Sequence, residues 1–252
     1  MKDCAPGLID ELRRAGTRMR AAQEKRYLKS GAVFYGVTVP RTRSIARAFA
    51  AELCEQRDLG SALQLAAGLW QDGAHESKLA ATIVVCECSS FYDERVWKLG
   101  AAWLHDVDNW ALCDSIGPGM LSPFVRKDAE KYRSRRQEVV RWTRSANPWV
   151  RRGALLSTLG STRLDHEWEF LARVALPLVQ DPDYFVQKGL GWMLRECAHH
   201  SPREVITFIQ EHRDRMRRST ITNAVSRLPT TLQRAARGRP AGSARAGAPI
   251  NP

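Results

Sequence analysis

The segment DNWALCDS places an indole and a carboxylate four residues apart, at Trp110 and Asp114. The apolar residues between them predict a helix, and residues at i and i+4 share one face of a helix. The same spacing recurs in YFVQKGLGW, where Tyr184, Lys188 and Trp192 share a face. Two aromatic patches thus accompany charged side chains. Alternatively, the tryptophans lie in the core and Asp114 caps the following segment, SIGPG.

A carboxylate among indole faces suits a substrate that carries a local positive charge. Alkylated purines such as N3-methyladenine and N7-methylguanine place such a local positive charge on a polyanion. This charge also makes the base a good leaving group. Glycoside hydrolysis ordinarily needs a protonated acid and a second carboxylate, but a cationic base makes the acid dispensable. One carboxylate, Asp114, would then be enough to stabilise the developing oxocarbenium charge and orient water.

The chain of 252 residues has a formal net charge of +12. Between Arg126 and Arg152 there are ten arginines or lysines against three acids, and Arg151 belongs to this stretch. Such a concentration of positive charge predicts nucleic acid as the partner. A solvated helix face is the alternative for a charge run taken alone.

The sequence lacks the motifs of membrane-spanning, metal-binding and nucleotide-binding proteins. No run approaches the roughly 18 apolar residues of a membrane span, and the N-terminus has no signal-peptide apolar region. The six cysteines include no C-x-x-C pair, neither His-Glu step extends to H-E-x-x-H, and no GxxxxGK(S/T) is present. We therefore expect reduced thiols, no metal, no nucleotide cofactor and a cytoplasmic protein.

Amphipathic segments follow one another along almost the whole chain, separated by turn sequences such as QDG, GPG, ANP, QDPD and HSP. Strand-like alternation occurs only briefly, in AVFYGVTV. The pattern predicts an all-α chain. The predicted helices are GLIDELRRAG, RSIARAFAAELCE, GSALQLAAGLW, SKLAATIVVCECS, ERVWKLGAAWLHD, RQEVVRWTR, WVRRGALLSTLG, EWEFLARVALPLVQ, YFVQKGLGWMLREC and REVITFIQEHR.

An internal repeat relates NPWVRRGALLSTL to DPDYFVQKGLGWML, which share an Asn/Asp-Pro start, an aromatic residue, a valine, a basic residue and a glycine. Aligning them superposes Arg152 on Lys188, and similar steps back along the chain reach Asp114 and then Lys78. Such a period is typical of HEAT-like α-solenoids, in which equivalent positions line one face. We therefore predict an α-solenoid with a curved, basic concave face that binds DNA.

The domain prediction places one helical-repeat domain at residues 1–236 and a tail at 237–252. The tail is basic, rich in Gly, Ala and Pro, and without apolar periodicity, so we expect it to be disordered. Such a tail adds non-specific attraction to phosphates, or is simply an unstructured terminus.

Five pieces of the sequence resemble, in order, the AlkD-type family of DNA alkylation repair enzymes, which are HEAT-like-repeat DNA glycosylases. They are KRYLKSGAVFYGVTVPRTR, LWQDGAHESKLAA, DNWALCDSI, NPWVRRGALL and QKGLGWMLRE. The resemblance implies removal of cationic N3- and N7-alkylpurines from duplex DNA, leaving an abasic site, without metal or organic cofactor. It also implies that affinity comes from phosphate contacts with little sequence readout.

By this resemblance the catalytic aspartate matches Asp114, and two lesion-facing tryptophans match Trp110 and Trp192. The DNA-backbone arginine matches Arg152. Taken with the repeat, the aromatic faces and the basic stretch, the predicted DNA contacts are Arg152, Lys188, Tyr27, Lys78, Tyr184 and Arg151.

The sequence departs from the family pattern at two places. Thr38 and Val39 stand where a polar pair usually precedes the proline, and Ala111 stands where an acidic residue commonly follows the tryptophan. The first departure bears on the DNA contacts of that loop.

The leading hypothesis is a monomeric, monofunctional alkylpurine DNA glycosylase of the cytoplasm, associated with the nucleoid when on DNA. The alternative is a non-catalytic HEAT-repeat protein that binds damaged or branched DNA, because a solenoid surface can serve binding alone. A protein-binding scaffold would be expected to expose an apolar or acidic face, and the basic charge argues against it.

Overall fold

The computed structural model describes residues 5–126 and 133–238, and within these ranges the chain forms helices and no β-strand. Short 3-10 and π-helical turns join some of the helices. The α-helices of the described residues are α1 (Ala5–Ala15), α2 (Arg18–Leu28), α3 (Val39–Glu55), α4 (Leu59–Asp72), α5 (His75–Glu87), α6 (Glu94–Asp106), α7 (Trp110–Ile116), α8 (Arg133–Trp142), α9 (Pro148–Ser157), α10 (Trp168–Ala175), α11 (Tyr184–His200), α12 (Pro202–His212), α13 (Arg218–Ala224) and α14 (Thr230–Arg237).

The predicted all-α fold is confirmed by this helix content. The ten helices predicted from apolar periodicity correspond to α1, α3, α4, α5, α6 and α8 to α12. Helix α7 lies in DNWALCDS, where the apolar centre predicted a buried helix, and its Leu112 and Cys113 are buried. Helices α2, α13 and α14 were not among the predicted segments.

The helices group into two compact units, Met1–Ser161 and Thr162–Pro252. In the first unit, Trp97 and Phe124 are among the largest fully buried side chains. In the second, α11 packs against α12 and α13 and contributes a buried apolar face. The division between residues 1–236 and a tail stays a prediction, because residues 239–252 lie outside the described part of the chain.

Within the first unit the helices pack in consecutive pairs, α4 with α5, α6 with α7, and α8 with α9. Helix α7 also packs against α5 and α9, so the second helices of the three pairs are neighbours. The ladder residues Lys78, Asp114 and Arg152 lie on these three helices. Each pair buries its apolar face against the next, which is the packing expected of helical repeats.

The three helices α7, α9 and α11, which carry most of the predicted site residues, begin in the same way. Asn109, Asn147 and Asp183 are their N-caps, and each side-chain oxygen accepts a hydrogen bond from a first-turn backbone N–H. Such caps satisfy donors that have no partner within the helix. They fix where each helix begins and therefore which side chains share its faces.

The segment AVFYGVTV, whose alternation suggested a strand, is instead an irregular connection between α2 and α3. Its backbone N–H groups bond to the carboxylate of Glu76, which is fully buried at the start of α5. Gly36 N lies 2.6 Å and Val37 N 3.1 Å from Glu76 Oε1, while Tyr35 N lies 3.0 Å from Oε2. A side chain therefore supplies the acceptors that a neighbouring strand would have supplied.

Gly36 is the position at which this segment turns. Its φ is +80°, and a Cβ there would lie 2.1 Å from the carbonyl oxygen of Thr17. Only glycine adopts this backbone conformation without strain and leaves space for the Thr17 carbonyl. The segment then passes directly into α3, which Thr38 caps.

Candidate active site

Asp114 of α7 and Arg152 of α9 form an ion pair inside the first unit. Arg152 Nη2 lies 2.6 Å and Nε 2.9 Å from the same oxygen, Asp114 Oδ1. Arg152 is only 4% exposed, whereas 21% of the Asp114 side chain remains accessible. The guanidinium thus holds the carboxylate from one side and leaves part of it open to a substrate. Asp114 does not cap the π-helical turn that follows α7.

The contact of Arg152 with a DNA phosphate stays a prediction, and in the free protein its guanidinium has another partner. A guanidinium beside a carboxylate makes strong charge-assisted hydrogen bonds, and this one is buried together with its partner. A phosphate would have to displace Asp114 to reach the bonded nitrogens. Arg152 therefore acts on Asp114 in this structure.

The pKa of Asp114 is shifted by its surroundings. Burial raises the pKa above the ordinary value of an aspartate, and the cation of Arg152 opposes that rise. Burial is the larger influence because the carboxylate has lost much of its hydration while only one cation faces it. The side chain is thus a stronger base than an exposed aspartate.

The close approach of α7 and α9 brings the two members of this pair together. A Cβ at Gly117, just after α7, would lie 2.7 Å from the Cβ of Leu156 on α9. The Cys113 thiol also lies 3.6 Å from the carbonyl oxygen of Trp149. The absence of a side chain at Gly117 therefore permits the helix separation at which Arg152 reaches Asp114.

Trp110 and Tyr27 form the aromatic part of the site. Their ring centroids lie 5.8 Å apart with an interplanar angle of 85°, an edge-to-face arrangement. Asp108, just before α7, holds the end of α2 in place: its Oδ2 accepts hydrogen bonds from Ser30 Oγ at 2.6 Å and Gly31 N at 2.9 Å. The position of Tyr27 against Trp110 follows from this junction.

A cavity of about 360 Å³ lies beside Asp114, within the first unit. Its walls are mainly apolar and include Trp110, Tyr27, Leu79 and Val39 together with Asp114. Val39 belongs to the Thr38 and Val39 departure from the family pattern described above. It is 46% exposed and adds an apolar side chain to the cavity wall at a position where the resemblance implies a polar one. A carboxylate in an apolar recess with aromatic walls suits a cationic, planar ligand.

Lys78, which was predicted as a DNA contact, has two partners within the protein. Its Nζ lies 2.7 Å from Asp106 Oδ2 and 4.9 Å from the ring centroid of Trp70. Only 14% of the side chain is exposed. The ion pair and the cation–π contact therefore already occupy this ammonium.

The basic stretch around residues 126–152 is also tied partly to the protein itself. Arg151 Nη1 donates to the carbonyl oxygens of Ser145 at 2.8 Å and Ala146 at 3.0 Å. Arg135 pairs with Glu138 at 2.8 Å. Several of these guanidinium groups thus hold loops and helices together, and residues 127–132 lie outside the described chain.

The remaining predicted residues, Tyr184, Lys188 and Trp192, lie on α11 in the second unit. Tyr184 is 56% exposed, and the exposed Lys188 places its Nζ 5.6 Å from the Tyr184 ring centroid. Trp192 is half-buried, and its Nε1 donates to Glu196 Oε1 at 3.2 Å. The structure thus brings Asp114, Trp110 and Tyr27 together in one unit and these three residues in the other.

Glu196 and Glu76 are the polar residues that sequence reasoning missed. Glu196 follows Trp192 by four residues, the spacing at which Asp114 follows Trp110, so the repeated tryptophan-acid pattern was a signal that could have found it. Glu76 lies in one of the His-Glu steps, which were considered only as metal motifs. Among residues 5–126 and 133–238, no group of three His, Cys, Asp or Glu side chains is arranged to hold a metal ion.

No α-helix of the described chain has both the length and the apolar character that a membrane span requires.

Two of three comparisons with known proteins found a match, and both matches are to DNA alkylation repair enzymes. A family model described as DNA alkylation repair enzyme matches residues 8–228. A comparison with curated proteins gave no match. Among solved structures, a predicted DNA alkylation repair enzyme from Enterococcus faecalis superposes with a TM-score of 0.72 at 18% identity, covering 85% of this chain and 97% of that one. At this identity the superposition shows a shared fold.

Proposed function

We propose that this chain, which belongs to the DNA alkylation repair enzyme family, is a monofunctional DNA glycosylase. It hydrolyses the N-glycosidic bond of cationic N3- and N7-alkylpurines. The substrate is duplex DNA, and the product is an abasic site and a free base. The protein is also proposed to act as a monomer, without a cofactor, in the cytoplasm and on the nucleoid.

The observation that carries the proposal is the part-exposed Asp114 carboxylate, paired with Arg152 and bordering an apolar cavity beside Trp110. An alkylated purine departs with the electron pair of the glycosidic bond and thereby becomes neutral, so no protonated acid is needed. Positive charge develops on the deoxyribose as the bond breaks. An ionised carboxylate stabilises that charge, and water adds to C1′ and loses a proton.

Arg152 is proposed as the residue that positions the carboxylate. Because both bonded nitrogens reach Oδ1, the orientation of the Asp114 side chain is fixed before a substrate arrives. The same cation partly offsets the repulsion between Asp114 and DNA phosphates. A neutral residue at position 152 would provide neither effect.

The aromatic residues are proposed to hold the cationic nucleotide. Trp110 borders the cavity with Asp114, and Tyr27, 71% exposed, presents its ring at the same border. Trp192 is proposed to contribute a second indole face from α11. A cation over an indole face gains about 0.5 to 2 kcal/mol, depending on how far both are desolvated.

The exposed Lys188 and Tyr184 are proposed as contacts to DNA phosphates, which position the duplex without reading its sequence. Lys78 and Arg151 were predicted for the same role. Their contacts with Asp106 and with two backbone carbonyls make them weaker candidates for it.

The test is the release of free 7-methylguanine and 3-methyladenine from methylated duplex DNA by wild type and Asp114→Asn. We expect the variant to lose about 100-fold or more in excision rate, because the amide cannot stabilise the sugar cation. Its affinity for DNA should change by less than about threefold, since other side chains hold the phosphates.

Asp106→Asn is the matched control, because Asp106 is also paired with a cation but is 59% exposed and does not border the cavity. It should retain excision. Release by Asp114→Asn at the wild-type rate would place the chemistry elsewhere. No release even by wild type, with DNA binding intact, would favour the non-catalytic DNA-binding protein.

A further inference from the structure

Glu196 lies one helical turn after Trp192 on α11 and is nearly buried, with 12% of its side chain exposed. Three arginines surround it. Arg163 Nη2 lies 3.0 Å from Oε2, while Arg227 Nη1 at 3.4 Å and Arg195 Nη2 at 3.6 Å approach Oε1. One carboxylate thus sits among three cations, all within the second unit.

The indole of Trp192 belongs to the same cluster. Its Nε1, the only hydrogen-bond donor of a tryptophan side chain, donates to Glu196 Oε1 at 3.2 Å. Arg163 bonds to the other oxygen, Oε2, and so sets the plane of the carboxylate. Rotation of the indole would break its hydrogen bond, so the cluster fixes the direction in which the ring face points.

The cluster is also held from outside α11. Arg195 Nη1 donates to Asn223 Oδ1 at 2.8 Å, which ties the cluster to α13. A Cβ at Gly191 would lie 2.9 Å from the Asn223 side-chain nitrogen, so the two helices are closely packed at this point. The orientation of Trp192 is therefore determined by two helices and the segment that carries Arg163.

Charge gives Glu196 a second effect on the indole. Burial alone would raise the pKa of Glu196, but the cations, Arg163 first, outweigh it and hold the pKa below its ordinary value. An N–H that donates to an anion shifts electron density into the indole ring, and a more electron-rich face attracts a cation more strongly. The arginines balance the charge that would otherwise repel DNA.

We propose that Glu196 is a positioning residue of the repair reaction, which acts through its hydrogen bond to Trp192 and orients the indole face toward the cationic base. The inference rests on the proposed function in one respect, the role of Trp192 toward the base. It explains why the spacing of Trp110 and Asp114 recurs at Trp192 and Glu196. The first carboxylate serves the sugar, and the second serves an indole.

The hydrogen bond is tested first, without any enzymatic activity. In the amide and indole NMR spectrum of the full chain, the Trp192 Nε1–H signal is assigned by its loss in Trp192→Phe. We expect Glu196→Ala to move this signal and Glu196→Gln, which keeps an acceptor oxygen, to move it less. A signal unchanged in both variants would overturn the proposal.

The second test is a double-mutant cycle on duplex DNA carrying N7-methylguanine, measured as kcat, KM and binding affinity. Glu196→Ala should lower kcat/KM about tenfold, the size of a cation–π contact at a half-buried site, and Glu196→Gln should restore most of it. In a Trp192→Phe background, Glu196→Ala should cost nothing further. Additive losses would overturn the proposal.

Glu211→Ala, at an exposed glutamate of α12, is the matched control and should leave every readout unchanged. If Glu196→Ala does not fold, Arg163→Ala removes the Oε2 contact instead and should move the same indole signal. If the wild type releases no base, the proposed function fails. The binding cycle and the indole signal still decide whether Glu196 orients Trp192.

Discussion

The carboxylate of Asp114 titrates under two opposing influences, burial and the cation of Arg152, of which burial is larger. The proposed reaction uses the ionised form, which is lost as the pH falls through the pKa of Asp114. Replacing Arg152 by alanine removes the opposing cation, so the pKa rises further. The acidic limb of kcat/KM against pH should therefore move to higher pH.

Two further variants separate charge from geometry in this pH profile. Arg152→Lys keeps a cation but loses the second contact to Oδ1, so its limb should lie between those of wild type and Arg152→Ala. Arg151→Ala, at a neighbouring arginine bonded to backbone carbonyls, should leave the limb in place. If the acidic limb of kcat/KM lies at the same pH in the wild type and in all three variants, Asp114 does not govern that limb.

At this scale the sequence predicted which side chains share a helix face but not what they contact. The i and i+4 spacing placed Trp110 beside Asp114, because that relation depends on one helix only. The contact between Asp114 and Arg152 joins residues 38 positions apart and depends on how closely two helices pack. The repeat predicted that these residues occupy equivalent positions, as one acid within a row of basic residues, but not that the two form an ion pair.

The junction of α7 and α9 determines the site at the scale of elements. Gly117→Ala would place a Cβ 2.7 Å from the Leu156 Cβ, so one of the helices must shift by some tenths of an ångström. We expect a loss of about 1 to 3 kcal/mol in the free energy of unfolding, measured by urea denaturation. Excision should also fall, because the shift separates Asp114 from Arg152.

Gly60→Ala is the comparison for this variant. Gly60 is exposed in the first turn of α4, and the nearest atom to an added Cβ is Asp58 Oδ1 at 3.4 Å. Its stability should stay equal or rise by up to about 1 kcal/mol, because alanine favours the helix. Equal urea midpoints for the two variants would show that α7 and α9 tolerate a wider separation.

The elements that the sequence did not predict escaped detection for different physical reasons. Helix α2 buries only Leu28 and has little apolar periodicity. Helices α13 and α14 have only seven and eight residues, which is shorter than the window over which a helical period can be recognised. The segment AVFYGVTV alternates like a strand, yet its amides bond to Glu76 from another part of the chain. Long helices with a buried stripe, such as α11, were predicted because the pattern and the packing coincide.

On the scale of the whole molecule, the count of 39 lysines and arginines overstates the number of cations available to DNA. Arg152, Arg163 and Arg135 are engaged in ion pairs with acids of the same chain. Exposed side chains such as Lys188 are more available, and Lys188 lies beside an exposed aromatic ring. Affinity for DNA should therefore depend on a subset of the basic residues.

Salt dependence measures the size of that subset. The DNA-binding constant falls as salt concentration rises, and each phosphate contact steepens the plot of log K against log salt concentration by about 0.9. Lys188→Ala should therefore make this plot less steep by about that amount. Lys78→Ala should leave the slope unchanged, because Lys78 is paired with Asp106. Binding of duplex DNA over a range of salt concentrations is the measurement.

An equal decrease in both variants would mean that Lys78 leaves Asp106 to contact a phosphate, as the sequence pattern suggested. No decrease in either would remove both from the DNA-binding surface. The comparison uses two lysines whose exposure and partners differ, so it tests whether the contacts described for the free protein persist on DNA.

The contact between Glu76 and the segment before α3 has a consequence for the order in which the molecule is assembled. Glu76 follows Gly36 by 40 residues, so the amides of that segment stay bonded to water until α5 exists and packs. Val37 and Val39, which border the cavity beside Asp114, receive their positions at that moment. A nascent chain that ends before α5 therefore has no such recess, however well its first helices have formed.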